Sequence, residues 1–159
     1  MNIENSNHEI RPVMISDLAD LRVLLGYLHD LEPWGDDQDI AAEVTLLRIS
    51  QDGGRHLLVS EKDGLLVGTA DLTLITNLTR GLKSFGIIEN LVVAPNYRRQ
   101  GIGEALLKEA ILIAQQENCY KVELVSSSQR EGAGSLYKKL GFNASVDGYR
   151  QYFIPQTNN

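Results

Sequence analysis

The chain has 159 residues, and 43% of them are hydrophobic, which predicts a single domain built around one core. Its net charge of −6 argues against nucleic acid or an anionic membrane as a partner, because many Lys and Arg side chains are needed to hold either. The polar start of the chain, its single cysteine and the lack of a long apolar run predict a soluble, cytoplasmic protein.

The first predicted elements are a short strand and an amphipathic helix. The alternating run HEIRPV predicts the strand, and Ser16 after it is a good N-cap for a helix. Leucine and valine then recur at helical spacing between Asp17 and His29, so this helix is expected to pack one face on the core.

A second helix and a β-hairpin are predicted next. Asp36 or Asp37 is expected to cap the helix, which continues to about Ile49. The two β-branched, apolar runs that follow meet at Asp63 and Gly64, a residue pair that supplies the positive φ angles of a tight turn. These runs therefore predict an antiparallel hairpin.

The rest of the chain alternates between strands and helices. The run FGIIENLVVA is apolar almost throughout and is ended by Pro95, so it predicts a central strand covered on both faces. The sequence then predicts a helix over 101–117, the strand YKVELVSS and a helix over 131–140, which Gly141 ends. A last pair of strands is expected around 147–148.

The order of these elements defines the expected fold class. It reads β-α-α-β-β-β-α-β-α-β-β, without a repeat, linker or low-complexity tract. The simplest α/β architecture for this order is a single mixed, mostly antiparallel central sheet flanked by helices. One domain is expected over 1–159, with its structured core at about 8–154.

The turn between the central strand and the next helix carries the most specific signal. Arg98 and Arg99 are followed there by Gly101 and Gly103. The first amides of a helix lack intrahelical partners, and glycines let an anion approach them closely, so phosphate is the expected ligand. Leu106 stands where a Rossmann loop needs glycine, and the Gly-Lys-Ser/Thr of a Walker loop is absent. The structural alternative is that the glycines only form a tight turn.

Two sequence blocks resemble a known family. The block IIENLVVAPNYRRQGIGEALL contains the pattern Arg/Gln-x-x-Gly-x-Gly/Ala at 98–103, and SLYKKLGF follows at 135–142. These motifs, in this order, resemble the GNAT superfamily of N-acetyltransferases, and the predicted elements over 8–154 match its fold. The resemblance implies an enzyme that takes an acetyl group from acetyl-coenzyme A and passes it to a primary amine of a small molecule or a peptide.

The resemblance also implies where coenzyme A binds. It would lie where the central strand and the strand at 122–125 splay apart, with main-chain groups of Leu91 and Val93 on the pantetheine and Val92 between them. The loop residues implied for the pyrophosphate are Arg98, Arg99, Gln100, Gly101, Ile102, Gly103 and Glu104. Arg130 departs from the family, in which many members carry there an Asn that contacts the pantetheine arm.

Two side chains are candidates for the proton transfers of the reaction. Glu89 stands in an apolar strand, where burial would raise its pKa and favour a general base, as the family often has at this place. The alternative is a solvated or ion-paired carboxylate. Tyr137 is implied to protonate the departing thiolate, since a phenol has an ordinary pKa of about 10, and its alternative is a partly buried helix aromatic. A backbone amide near Val92 or Val93 would stabilise the oxyanion.

The histidines and the cysteine carry no further chemistry in this interpretation. His8, His29 and His56 lack the spacing of metal ligands, so no metal is expected and these side chains are expected at the surface or at helix ends. Cys119 is expected to be a small apolar filler, so the acetyl group would pass directly from the coenzyme to the amine. The sequence also allows a homodimer.

Two other functions compete with the enzyme. A non-catalytic sensor or structural protein that binds acyl-coenzyme A would have the same loop, but only the enzyme needs Tyr137 and a base such as Glu89. An acetyltransferase that acts on charged tRNA would need a basic surface, which conflicts with the net charge of −6.

The connection between the first two helices suggests the charge of the acceptor. Five carboxylates surround Trp34 in the sequence: Asp30, Glu32, Asp36, Asp37 and Asp39. The resemblance places this connection beside the acceptor opening, where carboxylates and an indole face would attract a cationic amine. The alternative is that the acidic residues only cap and balance the start of the second helix.

Overall fold

The computed structural model describes residues 8–28, 33–126 and 132–153. These form two compact units, one that ends at Leu124 and one that begins at Val125. The described elements of the first unit are the strands β1 (Glu9–Pro12), β2 (Arg55–Lys62), β3 (Leu65–Ile75), β4 (Phe85–Val93) and β5 (Val122–Leu124), and the helices α1 (Leu18–Gly26), α2 (Asp39–Gln51) and α3 (Ile102–Gln116). The second unit contains α4 (Ala133–Lys139). Within the described ranges, no helix is both long enough and apolar enough to cross a membrane.

The strands of the first unit form one mixed sheet in chain order. Successive strands from β1 to β4 are antiparallel, and β5 joins β4 in parallel. At the turn between β2 and β3, Asp63 and Gly64 have φ angles of 52° and 76°, so both adopt the left-handed conformation that a tight hairpin requires. The predicted α/β class, with a mixed and mostly antiparallel sheet, is confirmed.

Helices cover both faces of this sheet. Residues of β2, α1, α2 and the segment after β1 form a buried cluster on one face, made of Val13, Leu21, Leu46, Leu57 and Val59. On the other face, a Cβ atom on Gly68 would lie 3.0 Å from side-chain atoms of both Ile102 and Leu106. A glycine at this position of β3 therefore permits the close approach of α3.

The start of α1 differs from the prediction, because its N-cap residue is Asp17 and not Ser16, and the Asp17 side chain caps the preceding turn and not α1. A one-turn 3-10 helix over Ile15–Asp17 precedes α1, and an oxygen of Asp17 accepts a hydrogen bond from the backbone N–H of Met14 at 2.7 Å. The same carboxylate binds Arg11, so it is held in place from two sides.

The start of α2 also lies later than predicted. Asp36 and Asp37 belong to a one-turn 3-10 helix over Asp36–Gln38, and α2 begins at Asp39. The side-chain oxygen of Gln38 accepts the N–H of Gly35 at 3.0 Å. The predicted caps therefore form the turn that precedes the helix.

The strand pair predicted around 147–148 is wrong for the residues described. After α4, residues 141–153 form no strand, and the side chains of Val146, Tyr149 and Phe153 are 82%, 93% and 89% exposed. A strand is stable only with a hydrogen-bonded neighbour and a buried face, which a local sequence pattern does not supply.

Arg11 on β1 connects β2 with the start of α1 through an ionic network. Its guanidinium donates to Asp17 at 2.7 and 2.9 Å and to Glu61 at 2.8 and 3.0 Å. These hydrogen bonds raise the pKa of Arg11 above its ordinary value. The bonds from Arg11 also lower the pKa of Asp17, against the opposing effect of its burial.

Replacing Asp17 with asparagine is expected to destabilise the protein by about 2 kcal/mol at pH 7, because Arg11 loses its buried partner. A carboxyl group with a lowered folded-state pKa contributes stability above its unfolded pKa, near 4, and loses it as the pH falls through the folded value. Urea unfolding at pH 7 and pH 3 should therefore show a smaller difference between wild type and Asp17→Asn at pH 3. Glu61→Gln, at a more exposed carboxylate on the same Arg11, is the control and should cost less. Equal costs at both pH values would contradict this assignment.

Candidate active site

β4 contains a bulge next to Glu89. In the antiparallel ladder, Asp71 is opposite Glu89 and Thr69 is opposite Val92, so β4 has one more residue than β3 in this interval. Asn90 takes up the difference with a φ angle of 52°, in the left-handed region. Such a bulge bends the strand and redirects its side chains, and bulges are frequent beside active sites.

The edge of β4 that faces β5 opens beyond Ile88. β5 pairs with Gly86–Ile88 and ends at Leu124, whereas β4 continues to Val93. The backbone N–H of Ala94 donates to Val67 of β3 at 2.9 Å. Because consecutive strand residues direct their polar groups to alternate sides, those of Val93 point away from β3, towards the open edge.

Leu91, which was predicted with Val93 to contact the pantetheine, lies along the same edge. The same alternation directs the N–H and C=O groups of Leu91 to the edge, two residues before Val93. The carbonyl of Val93 accepts a hydrogen bond from Nε of Arg98 at 3.1 Å, which ties the loop back to the strand. Val92, which lies between them, is buried.

The loop between β4 and α3 brings the predicted phosphate residues together. Arg99 and Gly101 have φ angles of 63° and 82°, and Gly101 is the N-cap residue of α3. The first backbone bond into the helix runs from Ala105 to the carbonyl of Gly101 at 3.0 Å. The amides of Ile102 and Gly103 therefore precede the helical ladder at the positive end of the helix dipole, a geometry suited to an anion.

Lys62 lies beside this loop, a contact that sequence analysis missed. Its Nζ donates to the side-chain oxygen of Gln100 at 3.1 Å and lies 5.9 Å from the ring centroid of Tyr97. The amide nitrogen of Gln100 in turn donates to the carbonyl of Asn96 at 3.2 Å. Lys62 is at the end of β2, 38 residues away in sequence, so only the sheet register could have revealed it.

Glu89 is exposed, which contradicts the burial predicted for it and for this part of β4. The buried carboxylate is its cross-strand neighbour Asp71, which is 4% exposed. Arg55 of β2 binds both of its oxygens, with Nε 3.1 Å from Oδ1 and Nη2 2.5 Å from Oδ2. Burying a carboxylate is costly unless a cation pairs with it, and Arg55 pairs here with Asp71. Glu89, by contrast, is accessible from solvent.

Tyr137 lies in the second unit, on α4. Its side chain is half-buried, and its ring packs edge-on to Phe142 with the centroids 6.1 Å apart. Gly141, with a φ angle of 87°, ends the helix so that the backbone N–H of Phe142 bonds to the carbonyl of Tyr137 at 2.9 Å. The end of α4 therefore fixes the orientation of the ring.

Two histidines differ from the prediction of surface or helix-end positions. His56 lies within β2, and Nδ1 of His8 is 3.1 Å from the hydroxyl of the buried Ser60.

Burial, with a smaller effect of Glu117, raises the pKa of Cys119, which disfavours a thiolate nucleophile. No group of three or more potential metal ligands occurs in the part of the chain that the structure describes. His29 lies outside that part.

Asp36 and Asp39 of the acidic connection pair within the protein. Arg22 of α1 lies 2.8 Å from Asp36 and 3.6 Å from Asp39, and its guanidinium is 5.9 Å from the ring centroid of Trp34. The indole N–H donates to Asp39 at 3.0 Å. Arg22, Trp34 and Asp39 border a cavity of about 980 Å³ between α1 and α2. The contacts favour charge balance at the start of α2 over attraction of a cationic amine. Asp30, Glu32 and Arg130 lie outside the described residues.

The sequence matches those of known acetyltransferases. The model of the acetyltransferase (GNAT) family matches residues 20–142. A glucosamine 6-phosphate N-acetyltransferase from Trypanosoma brucei brucei is 35% identical over 136 residues, which span 86% of this chain and 89% of the relative.

The fold matches as well. The crystal structure of an acetyltransferase from Trypanosoma brucei has a TM-score of 0.79 and 32% identity, over 92% of this chain and 99% of the other. The glucosamine-6-phosphate N-acetyltransferase of Arabidopsis thaliana shares the fold at a TM-score of 0.83 and 24% identity, over 92% and 99% of the two chains. These matches show that the chain, which has an open strand edge next to a glycine-containing helix start, belongs to the GNAT family of acetyltransferases.

Proposed function

We propose that this acetyltransferase transfers an acetyl group from acetyl-coenzyme A directly to a primary amine of a small molecule, and that a phosphorylated amino sugar is the first acceptor to test. The observation that carries this proposal is the open edge of β4 beyond Ile88, which the loop 94–101 connects to the start of α3. Coenzyme A has an arm with two amide groups and a pyrophosphate. Strand-edge groups suit the arm, and helix amides suit the pyrophosphate.

The donor would bind mainly through the main chain. The amides of the loop from Arg99 to Glu104 would hold the pyrophosphate, with Arg98 fixing the loop against Val93. The polar groups of Leu91 and Val93 would pair with the pantetheine as a neighbouring strand would. This arrangement explains how a chain of net charge −6 binds a polyanion, because the attraction is local.

The chemistry needs two proton transfers. The amine nitrogen attacks the thioester carbonyl carbon, and Glu89 takes a proton from the nitrogen, directly or through water. A backbone amide near Val92 or Val93 stabilises the oxyanion. When the intermediate collapses, the C–S bond breaks, and Tyr137 donates a proton to the thiolate that leaves. An amine from solvent can reach the exposed Glu89, but this exposure removes the burial on which its prediction as a base rested.

The choice of acceptor follows the relatives. The Trypanosoma brucei brucei relative is named for glucosamine 6-phosphate and aligns with 86% of this chain. The internal pairing of Asp36 and Asp39 also weakens the argument for a polycationic acceptor. An amino sugar phosphate has one amine and a phosphate, so it is not cationic overall.

A panel of amines tests this proposal by release of free coenzyme A thiol. The panel contains glucosamine 6-phosphate, glucosamine, a polyamine and a peptide with a free N-terminus. Glucosamine 6-phosphate is expected to give the highest kcat/KM, with glucosamine at least about tenfold lower if the phosphate contributes one charge-assisted hydrogen bond.

N-Acetylglucosamine 6-phosphate is the matched control, since its amine is already blocked. It should give no thiol release above the rate without acceptor. A higher rate with the peptide or the polyamine would overturn the acceptor assignment but leave the donor site intact. Tight acetyl-coenzyme A binding without turnover on any amine would favour the sensor function.

A further inference from the structure

The loop between β4 and α3 has a backbone conformation that most residues avoid. Arg99 has a φ angle of 63°, and Gly101, two residues later, has one of 82°. Glycine adopts this left-handed conformation readily, but a residue with a Cβ atom keeps it only where its surroundings hold it there. The residues on either side of Arg99 make contacts that supply this restraint.

The residue before Arg99 is tied to β4. Nε of Arg98 donates to the carbonyl of Val93, the last residue of that strand, at 3.1 Å. The backbone N–H of Arg98 also donates to the carbonyl of Pro95 at 3.3 Å, at the end of the one-turn 3-10 helix over Pro95–Tyr97. The first half of the loop is therefore anchored to the strand that precedes it.

The residue after Arg99 is tied to β2. Both polar atoms of the Gln100 side chain are engaged, because Oε1 accepts a hydrogen bond from Nζ of Lys62 at 3.1 Å and Nε2 donates to the carbonyl of Asn96 at 3.2 Å. The ring centroid of Tyr97 lies 5.9 Å from the same Nζ atom. Lys62 is half-buried and is the last residue of β2, a strand paired with β3, so its hydrogen bond holds Gln100 relative to the sheet.

We propose that Lys62 and the side chain of Gln100 are positioning residues for acetyl-coenzyme A, which hold the loop in the conformation that presents its amides to the pyrophosphate. A ligand binds more tightly to a loop that already has its binding conformation, because a smaller fraction of the protein must rearrange. This inference rests on the proposed function, in which the amides from Arg99 to Glu104 bind the pyrophosphate. It adds to the donor site a residue of β2, 38 positions away in sequence.

A direct contact between the Lys62 ammonium and a phosphate is the competing explanation. The contacts of Nζ with Gln100 and Tyr97 point instead to positioning, since they connect the lysine to the loop itself. The two explanations differ in one measurable respect. Positioning requires the Gln100 side chain, whereas a direct contact with phosphate does not.

A double-mutant cycle on the affinity for acetyl-coenzyme A, measured by calorimetric titration, tests the proposal. Lys62→Met and Gln100→Met keep unbranched side chains of similar length but remove the hydrogen bond between them. Each is expected to weaken binding by about fivefold, the scale of one hydrogen bond. The double variant Lys62→Met/Gln100→Met should bind no more weakly than Gln100→Met, because the bond between the two side chains is already lost.

NMR relaxation provides a second measurement, made on the protein without the coenzyme. The backbone order parameters of Gln100 and Gly101 should be lower in Lys62→Met than in wild type, because one of the two anchors of the loop is lost. Lys121→Met is the matched control. Lys121 binds Glu123 beside the start of β4, at the other end of that strand from the loop, so this variant should keep the wild-type affinity and order parameters.

Wild-type affinity or wild-type order parameters in Lys62→Met would overturn the proposal. An equal loss of affinity when Lys62→Met is added to Gln100→Met would also overturn it, because the lysine would then act on the phosphates directly. Failure of the donor site itself gives a different result, in which Gly101→Asp at the N-cap residue of α3 binds acetyl-coenzyme A as tightly as wild type. If Gly101→Asp loses affinity and Lys62→Met does not, only the positioning role fails.

Discussion

Gly101→Asp is expected to weaken acetyl-coenzyme A binding by on the order of a hundredfold, the scale of one or two charge-assisted hydrogen bonds. Gly101 is the N-cap residue of α3, where the loop amides and the helix dipole would meet the pyrophosphate. A carboxylate at this position would compete for the same amides and repel the phosphates. Calorimetric titration with acetyl-coenzyme A measures the loss.

The substitution should leave the protein folded. Gly101 has a φ angle of 82°, and a Cβ added there would meet no atom of the described residues within 4 Å. Aspartate tolerates the left-handed conformation better than most residues, so the cost should be about 1 kcal/mol. The loss of affinity should therefore greatly exceed the loss of stability.

Gly81→Asp provides the matched control for this substitution. Gly81 has a φ angle of 69° and the same open surroundings, but it lies before β4, away from the loop. This variant should bind acetyl-coenzyme A with wild-type affinity. Equal binding by Gly101→Asp and Gly81→Asp would place the pyrophosphate elsewhere.

Local sequence patterns were sufficient to predict the elements that border the candidate site. The hairpin at Asp63 and Gly64 depends on two residues that adopt positive φ, and the structure has it there. The strand before Pro95 and the helix predicted over 101–117 match β4 and α3 to within a residue or two. Turn chemistry and hydrophobic period decide these elements, and both are visible in a short window.

Features that depend on strand register were not predictable in this way. The bulge at Asn90, the exposure of Glu89 and the contact from Lys62 to the loop all arise from how β2, β3 and β4 align. A one-residue change of register exchanges the two faces of a strand, so an apolar run cannot say which carboxylate is buried. In this protein the buried carboxylate is Asp71, because Arg55 binds it.

The C-terminal strand pair shows the opposite error, in which a turn pattern was given too much weight. Asp147 and Gly148 form a good turn pair, as Asp63 and Gly64 do. At Asp63 and Gly64, however, the flanking strands also pair with β1 and β4 and bury their side chains. The described residues after α4 keep Val146 and Tyr149 exposed. A turn pair predicts a hairpin only where the flanking runs have a surface to cover.

Tyr137→Phe is expected to lower kcat by about ten- to a thousandfold while leaving the affinity for acetyl-coenzyme A unchanged, because it removes one proton donor and nothing else. The substitution keeps the edge-on contact with Phe142, so the packing of α4 should be preserved and the melting temperature should not fall. Initial rates at saturating acceptor and calorimetric titration with the coenzyme separate the two effects.

The matched control for this change is Tyr120→Phe, which removes a hydroxyl from another tyrosine that packs against a phenylalanine, Phe85. Tyr120 lies just before β5, at the end of the sheet opposite the open edge of β4, so its variant should keep the wild-type kcat. A large loss in Tyr137→Phe alone would identify the Tyr137 hydroxyl as the group that protonates the thiolate. If both variants keep the wild-type rate, water protonates the thiolate, and Tyr137 serves only to pack the end of α4.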